Sequence, residues 1–156
     1  MKICVYGVGK YSIEIYYHLK KYGIQVDFFS DIDKRKWGYI LDNVYCISLK
    51  ELLEYNRNNV TIIIGIKNNY KRIYKYFKDN NFINIYSRDD IFSKYFEKKD
   101  LSEKEIIKDI SFFTIWYQEL CSSIYKDQKT TIPDYDLNII IDDYKKRNRM
   151  DENITS

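Results

Sequence analysis

The run Val60-Thr61-Ile62-Ile63-Ile64 constrains this chain more than any other stretch. Five residues, all β-branched and four of them apolar, lose rotamer freedom in a helix and suit a pleated strand. With no polar face, such a strand must be covered on both sides, as central strands of parallel sheets are. Four more candidate strands, Ile3–Tyr6, Ile24–Phe29, Val44–Ile47 and Phe82–Tyr86, alternate with helical patterns. Ile15, Leu19 and Tyr22 follow i, i+4, i+7 spacing, and Tyr70, Ile73, Tyr74 and Phe77 follow i, i+3, i+4, i+7. Ser48 and Glu51 form a capping box for a short helix through Leu52 and Leu53. Strands alternating with helices build βαβ units, and right-handed crossovers then predict a doubly wound α/β sheet of order 3-2-1-4-5. A ligand is expected at the carboxyl ends of strands 1 and 4, where the winding reverses.

Strand 1 runs directly into Gly7-Val8-Gly9-Lys10-Tyr11-Ser12 and then a helix. In that setting a glycine pair has a physical use. The first permits the tight turn, the second lets backbone approach a pyrophosphate, and the helix start supplies amide donors and a positive dipole end. Ser12 stands where the dinucleotide fingerprint has its third glycine. Asp31 ends strand 2, 22 residues beyond Gly9, near the spacing of about 20 at which an acid meets a ribose diol. The alternative is purely structural, with Gly7 and Gly9 making a turn and Asp31 capping the next segment. Lys10 is placed either to neutralise a phosphate or to sit in solvent. Across the switch point, Lys67, Asn68 and Asn69 follow strand 4 as donors, or Asn68 caps the next helix.

Composition narrows the classes. Ala is absent, Tyr numbers 17 and Pro 1, a usage typical of A+T-rich coding, so Lys and Tyr abundance carries little functional weight. Residues 1–100 hold 18 basic and 12 acidic groups, and residues 101–156 hold 8 and 11. Neither half has the cationic block that binds nucleic acid. No apolar run reaches the roughly 18 residues of a membrane span, and Met1 leads straight into a strand, so a cytoplasmic protein without a leader is expected. Cys4, Cys46 and Cys121 have no C-x-x-C spacing and one histidine, His18, for company, which argues against zinc. Tyr-x-x-x-Lys recurs along the chain, as chance dictates at this Tyr and Lys content, and no catalytic residue is identified. No acidic pair follows strand 1 and no Asp ends strand 3, which disfavours a phosphoacceptor receiver domain.

The expected domains are 1–97, the nucleotide-binding sheet, and 98–156, a helical extension. Ser102 and Glu105 form a capping box opening it. Ile106, Ile110, Phe113, Tyr117, Leu120 and Ile124 make a heptad seam, with Phe112, Ile115, Trp116 and Cys121 off it. A helix apolar on two faces is buried on two faces. Either Tyr135–Tyr144 folds back over it, or residues 106–124 meet another subunit or a partner enzyme.

Residues 2 to about 92 resemble the Rossmann-like N-terminal domain of bacterial sugar-nucleotide modifying enzymes, best known from sugar O-acyltransferases. Five blocks carry the resemblance: Ile3–Lys10, Val26–Asp33 followed by Trp37-Gly38, Val44–Ser48, Ile63–Arg72 and Phe82–Ile85. It implies that Gly7, Gly9, Lys10, Asp31 and Asp33 hold the nucleotide of a UDP-sugar. The acyltransferases' β-helix and its histidine have no counterpart here, so acetyl transfer by this chain is not expected. The resulting expectation is a nucleotide or nucleotide-sugar module of surface-glycan synthesis, with UDP-sugar or NAD as ligand, accessory to a catalytic partner. Two alternatives are an NAD-dependent sugar-nucleotide oxidoreductase and a non-binding assembly domain.

Overall fold

The computed structural model describes residues 1–95 and, beyond them, Ser102, Lys104, Glu105, Lys108 and Asp109. The first structural unit, Met1–Ile91, contains the whole sheet. Its elements are β1 (Lys2–Tyr6), α1 (Lys10–Lys21), β2 (Phe28–Ser30), β3 (Ile40–Leu41), β4 (Val44–Ile47), α2 (Leu49–Leu53), β5 (Val60–Ile64), α3 (Tyr70–Asp79) and β6 (Asn84–Ser87), followed by α4 (Arg88–Tyr95). The sheet order is β3-β4-β2-β1-β5-β6. The five expected strands are all present, parallel and in the expected order, so the fold is a doubly wound, Rossmann-like α/β domain.

Two details differ from expectation. A sixth strand, β3, pairs antiparallel on the edge, Ile40 opposite Tyr45 and Leu41 opposite Val44. Its two-residue turn places Asp42 and Asn43 at φ 52° and 66°, the double left-handed geometry that a tight hairpin of this kind requires and that Asp and Asn tolerate. Strand β2 is also shorter than Ile24–Phe29, and begins at Phe28. The Asp27 carboxylate, rather than a backbone carbonyl, takes the Ile3 N–H at 2.8 Å, so the ladder to β1 opens at Cys4 and Phe28.

Both sheet faces are covered, as the Val60–Ile64 composition demands. On one face Cys4, Tyr6, Phe28, Ile62, Ile64 and Ile85 pack with Leu52 of α2 and Phe77 of α3. The Phe77 ring meets Tyr6 edge-on at 5.1 Å and Phe82 at 5.4 Å. On the other face Val5, Phe29 and Ile63 share a register row, and Tyr16 of α1 packs its ring 5.5 Å from Phe29. Burying each such side chain stabilises the fold by about 1.5–3 kcal/mol. Tyr22, expected on the buried stripe of α1, is instead exposed, because the helix ends at Lys21 and Tyr22 is its C-cap.

Strand register fixes the geometry that matters next. Tyr6 pairs with Ser30 on one side and Ile64 on the other. The Gly7 amide then donates to the Ser30 carbonyl at 2.7 Å, and the Gly65 amide to the Tyr6 carbonyl at 2.8 Å. Both glycines therefore leave the sheet side by side. In the second unit, the Glu105 amide donates to the Ser102 hydroxyl at 3.3 Å, the cap expected there, and Lys104, Glu105, Lys108 and Asp109 are helical. The heptad seam, its off-seam residues and Tyr135–Tyr144 lie outside the described residues. Among those described, no helix is long and apolar enough to cross a membrane.

Candidate functional site

The two loop glycines do different work. Gly7 sits at φ 97°, and a Cβ there would meet the Ile66 side chain at 2.7 Å. It is a glycine for the sake of the backbone. Gly9, at φ −162°, is extended backbone that any residue adopts, and a Cβ there would meet nothing within 4 Å. Space stands open above it. Ser12 is fully buried and donates its hydroxyl to the Gly65 carbonyl at 2.9 Å. A Cβ on Gly65 would collide with that hydroxyl. The close helix–strand approach that a third loop glycine would allow is thus achieved from the strand side, by Gly65.

Helix capping divides the starts into two groups. Asp33, Ser48, Asn56, Ser87 and Ser102 each accept a hydrogen bond from an amide in the turn they open. Gly9 at the start of α1 and Asn69 at the start of α3 provide no side-chain cap. Neither α1 nor α3 has an acidic residue in its first turn, whereas α2 has Glu51 and α4 has Asp89 and Asp90. These are the helices that leave the adjacent ends of β1 and β5. The first amides of a helix have no partner within it and carry the positive end of its dipole. At the winding reversal, two such ends have neither a side-chain cap from their N-cap residue nor an acidic residue in the first turn. Lys67, Asn68 and Asn69 are exposed beside α3, and Asn69, at φ 62°, is its N-cap in place of Asn68. Lys10 and Tyr11 are half-buried in the first turn of α1.

Asp31, buried at 6% exposure, joins the loop to strand β2. Its Oδ2 accepts from the Val8 amide at 2.8 Å and from Lys36 Nζ at 3.3 Å, and its Oδ1 accepts from the Asp33 amide at 2.8 Å. Its backbone carbonyl accepts from the Trp37 indole at 2.7 Å. Of about four acceptor positions on a carboxylate, three are filled by the chain. Asp31 closes a turn onto the Asp33 amide, while the next 3₁₀ turn is capped by Asp33 itself. Asp33 opens the 3₁₀ turn Lys34–Lys36 and pairs with Arg35 at 2.8 Å, which lowers its pKa to about 2 through that side-chain bond.

Several residues at this end were not singled out from the sequence. Arg88, the first residue of α4, pairs with Glu14 of α1 at 2.9 Å, both side chains at most 2% exposed. Its guanidinium lies 5.5 Å from the Tyr11 ring centre. The only sequence signal was a glutamate between Ile13 and Ile15 on a helix that has to be buried. Tyr6 ends β1 beneath the loop, its hydroxyl pKa pushed up to about 12 by burial and then by the Asp31 charge. His18 is buried, its ring edge-on to Tyr17. Among the described residues no three His, Cys, Asp or Glu side chains cluster as metal ligands.

Sheet order, glycine turn and paired helix starts define a Rossmann-like domain with its crevice at the β1/β5 reversal. Among solved structures the chain is similar to a Rex-family repressor, RSP, at 18% identity and TM-score 0.45, over 81% of this chain and 62% of that one. It is likewise similar to RSP in complex with β-NADH, at 14% identity and TM-score 0.42 over 80% and 62%. The chain thus spans less than two thirds of those repressor chains. No protein-family model and no curated protein matches it. The resemblance to sugar O-acyltransferase N-terminal domains rests on the five sequence blocks alone.

Proposed function

We propose that the Met1–Ile91 unit binds a nucleotide or nucleotide-sugar through its diphosphate at the β1/β5 crevice. The observation that carries this is the contrast in capping: the helix starts flanking the reversal lack the side-chain caps that all the other described starts have. An anion there meets the positive ends of two helix dipoles at starts that no side-chain cap occupies. Backbone of Gly7, Gly9, Lys10, Tyr11 and Ser12 cradles the diphosphate, with the Gly9 opening admitting it, and the Lys10 ammonium adds charge. Asp31 turns its remaining Oδ1 acceptor position to a ribose hydroxyl, with Asp33 beside it. Lys67 and Asn68 reach the ligand's second half from the α3 side.

The finer reading is a UDP-sugar of bacterial surface-glycan synthesis, presented to a catalytic partner. It is supported by the five sequence blocks, whose order and spacing include the loop, Asp31 and Lys67–Tyr70. A thermal-shift screen of the full chain with UDP, UDP-sugars, NAD, NADP, S-adenosylmethionine and CoA tests both levels. A ligand at about 100 times its Kd stabilises by roughly 2.7 kcal/mol, a shift of roughly 5–10 °C for a chain of this size. Selective response to UDP species is expected. Response to NAD alone would move the ligand to a nicotinamide cofactor, and no response to any would refute the crevice reading.

A further inference from the structure

We infer that the indole of Trp37 is the shelf on which the base of the bound nucleotide stacks, so that this residue distinguishes a nucleotide from a bare diphosphate. The inference rests on the crevice reading above. A nucleotide presents phosphate, ribose and base in that order, and the protein offers complementary groups in the same order. From the start of α1, the Val8 amide reaches the Asp31 carboxylate at 2.8 Å, and the carbonyl of the same Asp31 receives the Trp37 ring N–H at 2.7 Å. A ligand whose diphosphate occupies the Gly9 opening and whose ribose meets Asp31 brings its base toward Trp37.

Trp37 is built for such contact. Trp37 is 40% exposed as a residue, yet its ring nitrogen is tied down and so is the backbone on either side. The Trp37 amide donates to the Lys34 carbonyl at 3.3 Å. The Gly38 amide, in a residue at φ 81°, donates to the Cys46 carbonyl at 2.9 Å. A large aromatic surface is therefore both exposed and held in one orientation, which lowers the ordering cost of stacking. Ile32, 71% exposed and next to Asp31 in the chain, adds a second apolar side chain to this end of β2. Neither side chain is needed in the buried core.

The test measures affinity of the full chain for UDP, ADP and inorganic pyrophosphate by calorimetry, in wild type, Trp37→Ala and Trp37→Phe. Base stacking on an aromatic side chain predicts a roughly 10- to 100-fold loss of nucleotide affinity in Trp37→Ala. Trp37→Phe keeps most of it, and pyrophosphate affinity is unchanged in both variants. Trp37→Ala binding UDP and ADP as wild type does would overturn the shelf and leave the crevice standing. So would a wild type that binds pyrophosphate as tightly as the nucleotides. Equal loss of pyrophosphate and nucleotide in Trp37→Ala would make Trp37 a prop for the loop, again overturning the inference. A wild type that binds none of the three would bring down the crevice reading together with it.

Discussion

Two alanine substitutions two residues apart should behave as opposites. At Gly9 the backbone is already extended, and an added methyl meets nothing within 4 Å. Reduced freedom of the unfolded chain favours Ala by about 0.4–1 kcal/mol, and the N-cap preference for Gly over Ala opposes it by a similar amount. Gly9→Ala is therefore expected within about 0.5 kcal/mol of wild type. At Gly7, φ of 97° puts an L side chain in the left-handed half of the map, costing about 1–2 kcal/mol. The 2.7 Å approach to Ile66 forces a repacking worth about 1–3 kcal/mol more. Gly7→Ala should lose roughly 2–5 kcal/mol of a total in the range of about 5–15 kcal/mol. Urea unfolding measures both without any ligand. Binding then separates the pair the other way. Gly9→Val folds as wild type but fills the opening where the diphosphate sits, and losing two charge-assisted amide bonds of about 1.5 kcal/mol each weakens nucleotide binding by roughly 100-fold. A stable Gly9→Val that binds nucleotide with unchanged affinity would refute the loop assignment. A Gly7→Ala as stable as wild type would refute the steric argument.

The Glu14–Arg88 pair is a buried ion pair, so Glu14→Gln or Arg88→Met alone should cost about 3–5 kcal/mol, and the double variant clearly less than the sum; additive losses in a double-mutant cycle would show that the two do not act as a pair. Stability should fall on the alkaline side. Burial, and then the Cys46 charge, holds the Cys4 thiol well above its ordinary value, and burial followed by the Asp31 charge pushes Cys46 up to about 12. Unfolded thiols ionise near pH 8.5. The folded state then holds protons that the unfolded state has released, so the contribution is complete below about pH 8.5 and is lost toward the folded values, at about 1.4 kcal/mol per pH unit for each thiol. Urea midpoints flat from pH 8 to 10 would contradict this, and Cys46→Ala should reduce the slope. Asp31→Asn keeps the shape but has one acceptor oxygen for the Val8 and Asp33 amides. One of them loses its partner, at a cost of about 1–3 kcal/mol in urea unfolding; no loss would mean that water replaces the carboxylate.

The parts of this fold legible in the sequence are those fixed by local chemistry. Val60–Ile64 reads as a doubly covered strand because its side chains leave no polar face, and Ser48 with Glu51 reads as a helix start because the bond closes within four residues. The β3 strand was illegible because two residues carry no period, and its turn uses Asp42-Asn43 without the glycine that marks such hairpins. Long-range partnerships were illegible for a different reason. Nothing local says that Glu14 waits for Arg88, 74 residues on, or that Ser12 is accommodated by Gly65 rather than by a glycine of its own loop. The loop itself was found, with a turn role for its first glycine and an approach role for its second, but not the contacts that separate them. Only the surroundings show that Gly7 is crowded and Gly9 is open.

In the proposed site a structural role and a binding role fall to one residue, Asp31. Spacing alone offered a choice between a ribose ligand and a cap, as if one excluded the other. The carboxylate closes a turn onto the Asp33 amide at Oδ1, ties down the Val8 amide at Oδ2 and pairs with Lys36, so the loop is fixed before any ligand arrives. A loop that is already ordered spends less of its contact energy on ordering itself, which is what tight recognition of a diphosphate by backbone amides requires. The same bonds leave Oδ1 with a single donor, on the oxygen that is not tied to the loop. The residue that sets the loop geometry is therefore also the one with an acceptor position to offer a ribose, and its carbonyl holds Trp37 in place one step further on. In the proposed site the phosphate, ribose and base positions are therefore linked through one carboxylate, so a change at Asp31 is expected to reach all three.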